Sequence, residues 1–353
     1  MSVYGYLSKD TWTIIINFLE EKYWIDLKCL NKQFLEMFKR NLFIKRLKFK
    51  ELCLAGHIES VLFLVRNVRC FSRDSGLKYG CYSGSSEIVN LMIKMGASNW
   101  NKGLKWACKG NQKKMVDLMF EKGANNLVMG LKGACRGNQK EMVNLMMEKG
   151  VWDWRNGLAS ACLSGSIELV KFMYDKAASL TDRRYDIGLG VVLEYAYRGG
   201  NEEIIQYLIE KGAEYNIYTL EGACQSGNIG YVKMILEKLR GYLLTFHYQN
   251  AFNLSCKHGH IEIAKLMMKY SAPNWKKALY YACMKGKFET IKFLIENGAD
   301  PKDGLEGACN GRHLEIVDYL ISKGARWNHN WKNVLCPIEC RGIIELMRMK
   351  GVY

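Results

Sequence analysis

The chain has 353 residues, 49% of them hydrophobic, and a formal net charge of +16 at pH 7. Its apolar runs are shorter than the roughly 18 residues of a membrane-spanning helix, and its first residues lack the basic and apolar regions of a secretory signal, so we expect neither. The excess of basic side chains favours acidic partners and raises the possibility of a nucleic acid partner.

Residues 1–48 predict a small helical module of their own. Apolar residues recur there at helical spacing, and Ser8 and Asp10 are suitable caps for the first helix. The first apolar stripe consists of Ile14, Ile15, Phe18 and Leu19, and a second cluster consists of Trp24, Leu27, Leu30, Phe34 and Phe38.

This segment resembles an F-box, the helical module that docks onto a Skp-family adaptor of a cullin ubiquitin ligase. Leu7 stands where the motif opens, Ile15 and Leu19 match its first-helix positions, and the run WIDLKCLNKQF follows its second part in register, although Ser8 replaces the usual Pro. The resemblance implies that the adaptor would be contacted by Leu7, Ile14, Ile15, Leu19, Leu27 and Leu30. The alternative is that these helices only cap a repeat array, which needs polar-faced terminal units.

From residue 49 to residue 353 a cysteine recurs at a nearly constant interval. The commonest step is 27 residues, and Tyr197 fills the slot where the step doubles. The repeated residues are Cys53, Cys81, Cys108, Cys135, Cys162, Cys224, Cys256, Cys283, Cys309 and Cys336. A fixed period of this length is typical of stacked helical repeats. One equivalent thiol per repeat indicates an apolar filler in a reducing compartment, so we expect a cytoplasmic or nuclear protein.

One unit begins at Gly103 and has the sequence GLKWACKGNQKKMVDLMFEKGANN. Its apolar residues predict a short first helix around Leu104 and Cys108 and a second helix from about Met115. The pair Gly110–Asn111 supplies the turn between them, and Gly123 suits the left-handed position after the second helix. The sequence thus predicts a helix-turn-helix unit.

This unit resembles the ankyrin repeat, with His57, His260 and His313 at the position of the family's Gly-His pair. About eleven units can be counted over residues 49–353, which implies an all-α, ankyrin-like solenoid that binds proteins and is not an enzyme. The family's TPLH turn is replaced by forms such as Lys102–Lys105. Because the usual period is about 33 residues, we expect the hairpin fingers to be shortened to tight loops, which shifts binding to the inner helices. An F-box before such an array resembles proteins of large DNA viruses, which implies a substrate receptor in a host cell.

Three segments depart from the pattern. Ser179–Gly190 adds eight residues and Leu239–Asn250 adds five, as longer loops or extended helices. The unit from Asn330 onward contains Pro337 and Cys340 and is degenerate, as expected of a terminal cap. A tryptophan precedes the first helix of some units, where we expect it to cover the junction between repeats rather than form a binding edge. These tryptophans are Trp100, Trp154, Trp275 and Trp331.

The sequence offers no set of residues that predicts catalysis, a cofactor or a metal. Cys256 and His260 both occupy repeat positions, so the trio with His258 is better explained as framework than as a metal site. Cys336 and Cys340 lack a second pair, which a zinc site of that kind requires. The basic side chains are spread through every repeat without a groove-reading motif, which disfavours nucleic acid as the partner.

Two positions of the first helix are candidates for contact with a partner: the third residue before the repeated cysteine and the first residue after it. The first position carries lysine in the four early units, and the second carries Lys109, Arg136, Arg198 and Lys257. Aromatic residues accompany the early lysines, a combination typical of interface anchors. The candidate groove over residues 78–137 comprises Lys78, Tyr79, Tyr82, Lys105, Trp106, Lys109, Lys132 and Arg136. We hypothesise that it binds an acidic protein segment; the alternative is a solvated charged face.

Overall fold

The computed structural model describes residues 42–67, 72–151, 153–180 and 188–326. Within these ranges the secondary structure is α-helical apart from one short 3₁₀ turn. The chain divides into two compact units after Asn99. The six residues of the F-box resemblance, together with Trp331 and the degenerate last unit, lie outside the described residues.

In the described part of the chain, twenty α-helices form ten hairpins, each made of an odd-numbered first helix and an even-numbered second helix. The first unit contains α1 (Leu42–Ala55), α2 (Ile58–Asn67), α3 (Arg73–Ser83) and α4 (Ser86–Lys94). The second unit begins with α5 (Trp100–Lys109), α6 (Lys113–Glu121), α7 (Leu127–Arg136), α8 (Lys140–Glu148), α9 (Trp154–Cys162), α10 (Ile167–Leu180), α11 (Leu189–Gly199) and α12 (Glu202–Glu210).

The second unit continues with α13 (Ile217–Ser226), α14 (Ile229–Lys238), α15 (Thr245–His258), α16 (Ile261–Met268), α17 (Trp275–Met284), α18 (Phe288–Glu296), a 3₁₀ turn (Pro301–Gly304), α19 (Leu305–Gly311) and α20 (Leu314–Ser322). In this unit every first helix packs on the next first helix, from α5 through α19, and on its own second helix. Each unit is therefore a stack of hairpins, as the period predicts.

The repeated cysteine lies in the core of every described hairpin that carries it. The nine repeated cysteines of the described residues, from Cys53 to Cys309, are buried and none of them forms a disulfide. Tyr197 occupies the same slot in α11 and is fully buried, with its ring edge-on to Tyr231 at 5.2 Å. The apolar partners four positions before and eight positions after the slot, such as Leu104 and Val116, are inaccessible to solvent. Burying each such leucine contributes about 1.5–3 kcal/mol.

The turn residues of successive hairpins bind one another. Nε2 of His260 lies 3.2 Å from the carbonyl oxygen of Gln225 in the preceding turn, and the amide Nδ2 of Asn201 donates to the carbonyl oxygen of Gly165 at 3.1 Å. The ring of His313 lies against Gly286 of the preceding turn. The repeat histidines of these turns therefore serve the framework, as we expected from their position.

A polar residue in the first turn of a first helix organises the loop that follows the same hairpin. Oδ1 of Asn101 accepts hydrogen bonds of 2.9 Å from the backbone N–H groups of Asn125 and Asn126. In the first unit, Oδ1 of Asp74 accepts two bonds of 3.1 Å from the N–H groups of residues 98 and 99. These bonds order the connections between hairpins, where the TPLH turn of the family is missing. Both connections are short loops, as expected.

Glycine two positions before the cysteine lets neighbouring first helices touch backbone to backbone. A Cβ atom on Gly133 of α7 would overlap the carbonyl oxygen of Lys105 in α5. The same holds for Gly222 against Glu194 and for Gly307 against Tyr280. Any larger side chain there would push the two helices apart, so these glycines set the closest spacings in the stack.

The five-residue insertion after α14 is partly loop and partly helix. Helix α14 ends at Lys238, and α15 begins at Thr245 and runs for 14 residues, against 10 in α13 and α17. The tryptophan at the start of α17 contributes to the junction, since the Trp275 ring meets the Phe252 ring of α15 edge-on at 5.9 Å. Trp100, Trp154 and Trp275 are all partly buried, which for Trp275 confirms the packing role.

The buried thiols predict a chemical test of the stack. Burial raises the pKa of Cys81, Cys108 and Cys135 to about 12, so these groups stay protonated and unreactive in the folded chain. At pH 8, iodoacetamide followed by site-by-site mass spectrometry should leave all nine buried cysteines unlabelled and should label all nine in urea. Rapid native labelling of the interior thiols would contradict the fold.

The same pKa shift gives a pH dependence. The folded pKa of about 12 lies above the ordinary value of about 8.5, so the stability linked to these thiols is complete below pH ~9 and is lost as the pH rises towards 12. The urea midpoint should therefore fall over that range. The Cys135→Ala variant should show a smaller fall than the parent chain, since it lacks one of the shifted groups.

Candidate functional site

The inner surface of α5 and α7 brings together five of the eight predicted groove residues. Lys105 and Lys109 lie one turn apart on α5, and Lys132 and Arg136 lie one turn apart on α7. Because the backbones of these helices touch at Gly133 and at Gly137, whose Cβ would overlap the Lys109 carbonyl, the four cations lie on directly adjacent helices. We call these four residues and Trp106 the α5/α7 basic surface.

Two local interactions stabilise positively charged side chains of the α5/α7 basic surface. Nζ of Lys109 lies 4.9 Å from the centre of the Trp106 ring, within the range of a cation–π interaction. Lys109 and Arg136 also occupy the last turns of their helices, where positive charge is favoured by the helix dipole. These interactions order Lys109 and Arg136 at the C-terminal ends of two adjacent helices.

The other three predicted groove residues lie on α3 in the first unit. Nζ of Lys78 lies 4.2 Å from the centre of the Tyr79 ring, and burial, followed by the charge of Lys50, lowers the pKa of Lys78. Tyr82 is 36% exposed. The structure thus gives α3 the same pairing of lysine with an aromatic ring that α5 has.

Later hairpins carry carboxylates in the slot that holds lysines in α5 and α7. Glu194 of α11 and Glu221 of α13 flank the close contact at Gly222. Burial, then the charge of Glu221, raises the pKa of Glu194 to about 7, while Arg198 opposes the shift. Burial also raises the pKa of Glu221. This slot of the first helices therefore changes from basic in α5 and α7 to acidic in α11 and α13.

The trio Cys256, His258 and His260, which might suggest a metal site, has the properties of structural residues. Cys256 is fully buried, and burial raises the pKa of its thiol to about 12. Burial, followed by the charge of Lys257, lowers the pKa of His258 to about 4. Among the described residues no group of three or more His, Cys, Asp or Glu side chains is placed to hold a metal ion, and no helix has the length and apolar character of a membrane span.

A cavity of about 530 Å³ lies between the start of α17 and the start of α19. Its lining includes Lys276, Lys277, Tyr280, Asp303 and Glu306. Sequence reasoning missed it, because its walls come from the short loops between hairpins as much as from helices. A cluster of lysines just after the loop residue Asn274 was the signal available in the sequence.

Comparison with known proteins connects this geometry to a family. A family model described as ankyrin repeats in three copies matches residues 220–304, from within α13 to the 3₁₀ turn. The chain is 22% identical over 136 residues to a protein of Acanthamoeba polyphaga mimivirus named for its ankyrin repeats, covering 37% of this chain and 29% of that protein. It is 26% identical over 148 residues to an ankyrin repeat and KH domain-containing protein of Caenorhabditis elegans, covering 37% of this chain and 6% of that protein.

The chain spans less than a third of the length of these relatives. Hairpins outside the matched segment share its buried cysteine slot and its paired short helices. Residues 220–304 are ankyrin repeats, and the chain has the all-helical fold of an ankyrin-repeat protein.

Proposed function

We propose that the chain is a non-catalytic adaptor whose repeats hold an acidic segment of a target protein. Ankyrin repeats are protein-interaction modules, and their occurrence here supports a binding role. The observation that carries the proposal is the α5/α7 basic surface, in which four cations lie on two touching helices beside a tryptophan. Such a cluster attracts carboxylates and offers an aromatic anchor, a combination found at the centres of interfaces.

The target segment would lie along α5 and α7. Lysine and arginine bind carboxylates by charge-assisted hydrogen bonds, and Trp106 provides flat apolar area beside them. The solvated-face alternative differs in one respect: it gives these cations no role in capture of a partner.

Charge reversal tests this groove. A variant with Lys105→Glu, Lys109→Glu and Arg136→Glu should lose most partner capture, by about tenfold or more, because three attractive contacts become repulsive. The measurement is quantitative affinity purification from the native cell. The matched control reverses three exposed lysines on α6 and its C-terminal end, with Lys113→Glu, Lys114→Glu and Lys122→Glu, and it should capture the partner normally. Equal capture by both variants would support the solvated face.

The second part of the proposal concerns residues 1–48. These residues recruit a Skp-family adaptor, so that the chain acts as a substrate receptor of a cullin-type ubiquitin ligase. What supports this is the register of the F-box resemblance at Leu7, Ile15 and Leu19 and in the following run of residues 24–34. The second candidate is an interaction scaffold in which the same residues only cap the repeats.

A direct binding measurement separates these candidates. The full chain should retain a purified Skp-family adaptor in a pull-down, and the double variant Leu7→Asp and Ile15→Asp should not, because two apolar contacts would be replaced by buried charges. Circular dichroism of the variant checks that the repeats still fold. If the unaltered chain fails to retain the adaptor, the ligase link is wrong and the scaffold remains.

A further inference from the structure

The insertion between α14 and α15 places large apolar side chains in solvent. The exposed fractions are 78% for Tyr242, 61% for Leu244, 52% for Phe246 and 50% for Tyr270. The other five exposed large apolar residues of the described chain, among them Ile229 and Leu314, are spread over four hairpins. We define the aromatic loop patch as Tyr242, Leu244, Phe246, Tyr248 and Tyr270. Apolar clusters of this kind in water mark binding surfaces.

Several contacts order this patch. The rings of Tyr248 and Tyr270 stack with centroids 5.0 Å apart and planes 7° apart. Nε2 of Gln249 donates to the carbonyl oxygen of Ala272 at 3.4 Å, and the backbone N–H of Leu244 donates to Nδ1 of His247 at 2.9 Å. The first turns of α15 are thereby fastened to the loop before α17. A surface ordered before binding loses less conformational entropy when a partner arrives.

The surroundings of the aromatic loop patch are basic. Over residues 237–248 and 269–277 five exposed lysine or arginine side chains accompany a single carboxylate, that of Glu237. The five are Lys238, Arg240, Lys269, Lys276 and Lys277. The last two line the 530 Å³ cavity, together with Lys302 and Arg326. Nζ of Lys276 lies 3.9 Å from Oδ1 of Asp303, and Nζ of Lys302 lies 2.7 Å from Oδ2 of Asp300. One edge of the second unit thus offers an apolar patch followed by a cavity lined by four cations and two carboxylates.

We propose that this edge docks an acidic peptide segment of a partner protein, with a bulky apolar side chain on the aromatic loop patch and carboxylates at the cavity. Charge complementarity selects this occupant. The two terminal parts of the chain outside the described residues, 1–41 and 327–353, both contain more basic than acidic residues, so they match this edge less well than an acidic partner segment does. Asp303 and Glu306 in the cavity wall repel the continuous negative charge of a nucleic acid backbone or an anionic bilayer, whereas a peptide can present donors to them. This surface does not involve the α5/α7 basic surface.

Selection from a displayed library of random peptides on the full chain tests the proposal. The recovered peptides should be enriched in Asp and Glu flanking Phe, Trp or Leu. A synthetic peptide of the recovered consensus should bind the double variant Phe246→Ser and Tyr270→Ser about tenfold more weakly, and the double variant Lys276→Glu and Lys277→Glu more weakly with a reduced salt dependence. The matched control, Ile229→Ser with Leu314→Ser, alters two exposed apolar residues elsewhere and should bind as the parent chain does.

Circular dichroism and the thermal midpoint confirm that each variant folds. Parallel measurements use vesicles containing phosphatidylserine and a single-stranded oligothymidine. One contrary outcome is that the selection returns no acidic peptides while the chain binds the vesicles or the oligonucleotide, and that the Phe246→Ser and Tyr270→Ser changes abolish this binding. That outcome would overturn the proposal in favour of the ligand bound. Recovery of peptides without acidic residues, or equal binding of the consensus peptide by all variants, would also overturn it.

Discussion

Close contact between consecutive first helices is the constraint on which the rest of the structure depends. Where glycine stands two positions before the repeated cysteine, the helix that carries the glycine lies against a backbone carbonyl of the preceding first helix. In these layers the cysteine fills the space beside the leucine and valine that accompany it. The thiol is therefore a space-filling group, and its raised pKa follows from burial and not from any chemistry it performs.

The same contact determines what the inner surface can do. Each pair of touching helices places its polar residues side by side, so a slot that carries lysine in α5 and α7 becomes a concentrated positive surface. The same slot with glutamate in α11 and α13 becomes a pair of carboxylates whose pKa values are both raised by burial, with the charge of Glu221 raising the pKa of Glu194 further. One backbone geometry thus supports surfaces of opposite charge, and binding specificity rests on the few residues that the repeat leaves unconstrained.

The fold was largely predictable because the period of the cysteines fixes both helices of each unit and the turn between them. Tyr197 was recognised as a substitute in the cysteine slot, and His260 as a framework residue, from position alone. The close helix contacts at Gly133 and Gly222 could not be predicted from the sequence, because glycine also occurs elsewhere in these helices. The aromatic loop patch was visible only as an insertion of five residues, since the exposure of Tyr242 or Phe246 depends on how the loop packs. The ligase link of residues 1–48 stays a prediction.

Hydrogen exchange of a Gly222→Ala variant tests the central constraint most directly. Overlap of the new Cβ with the Glu194 carbonyl should force α11 and α13 apart, at a cost of about 2 kcal/mol. Amide protection should fall in α11–α14 and stay unchanged in α5, α6, α19 and α20, since stacked repeats interact with their neighbours. Gly230→Ala, in the exposed first turn of α14, is the control and should lose no protection. Unchanged protection in α11–α14, or an equal loss throughout the second unit, would contradict the account.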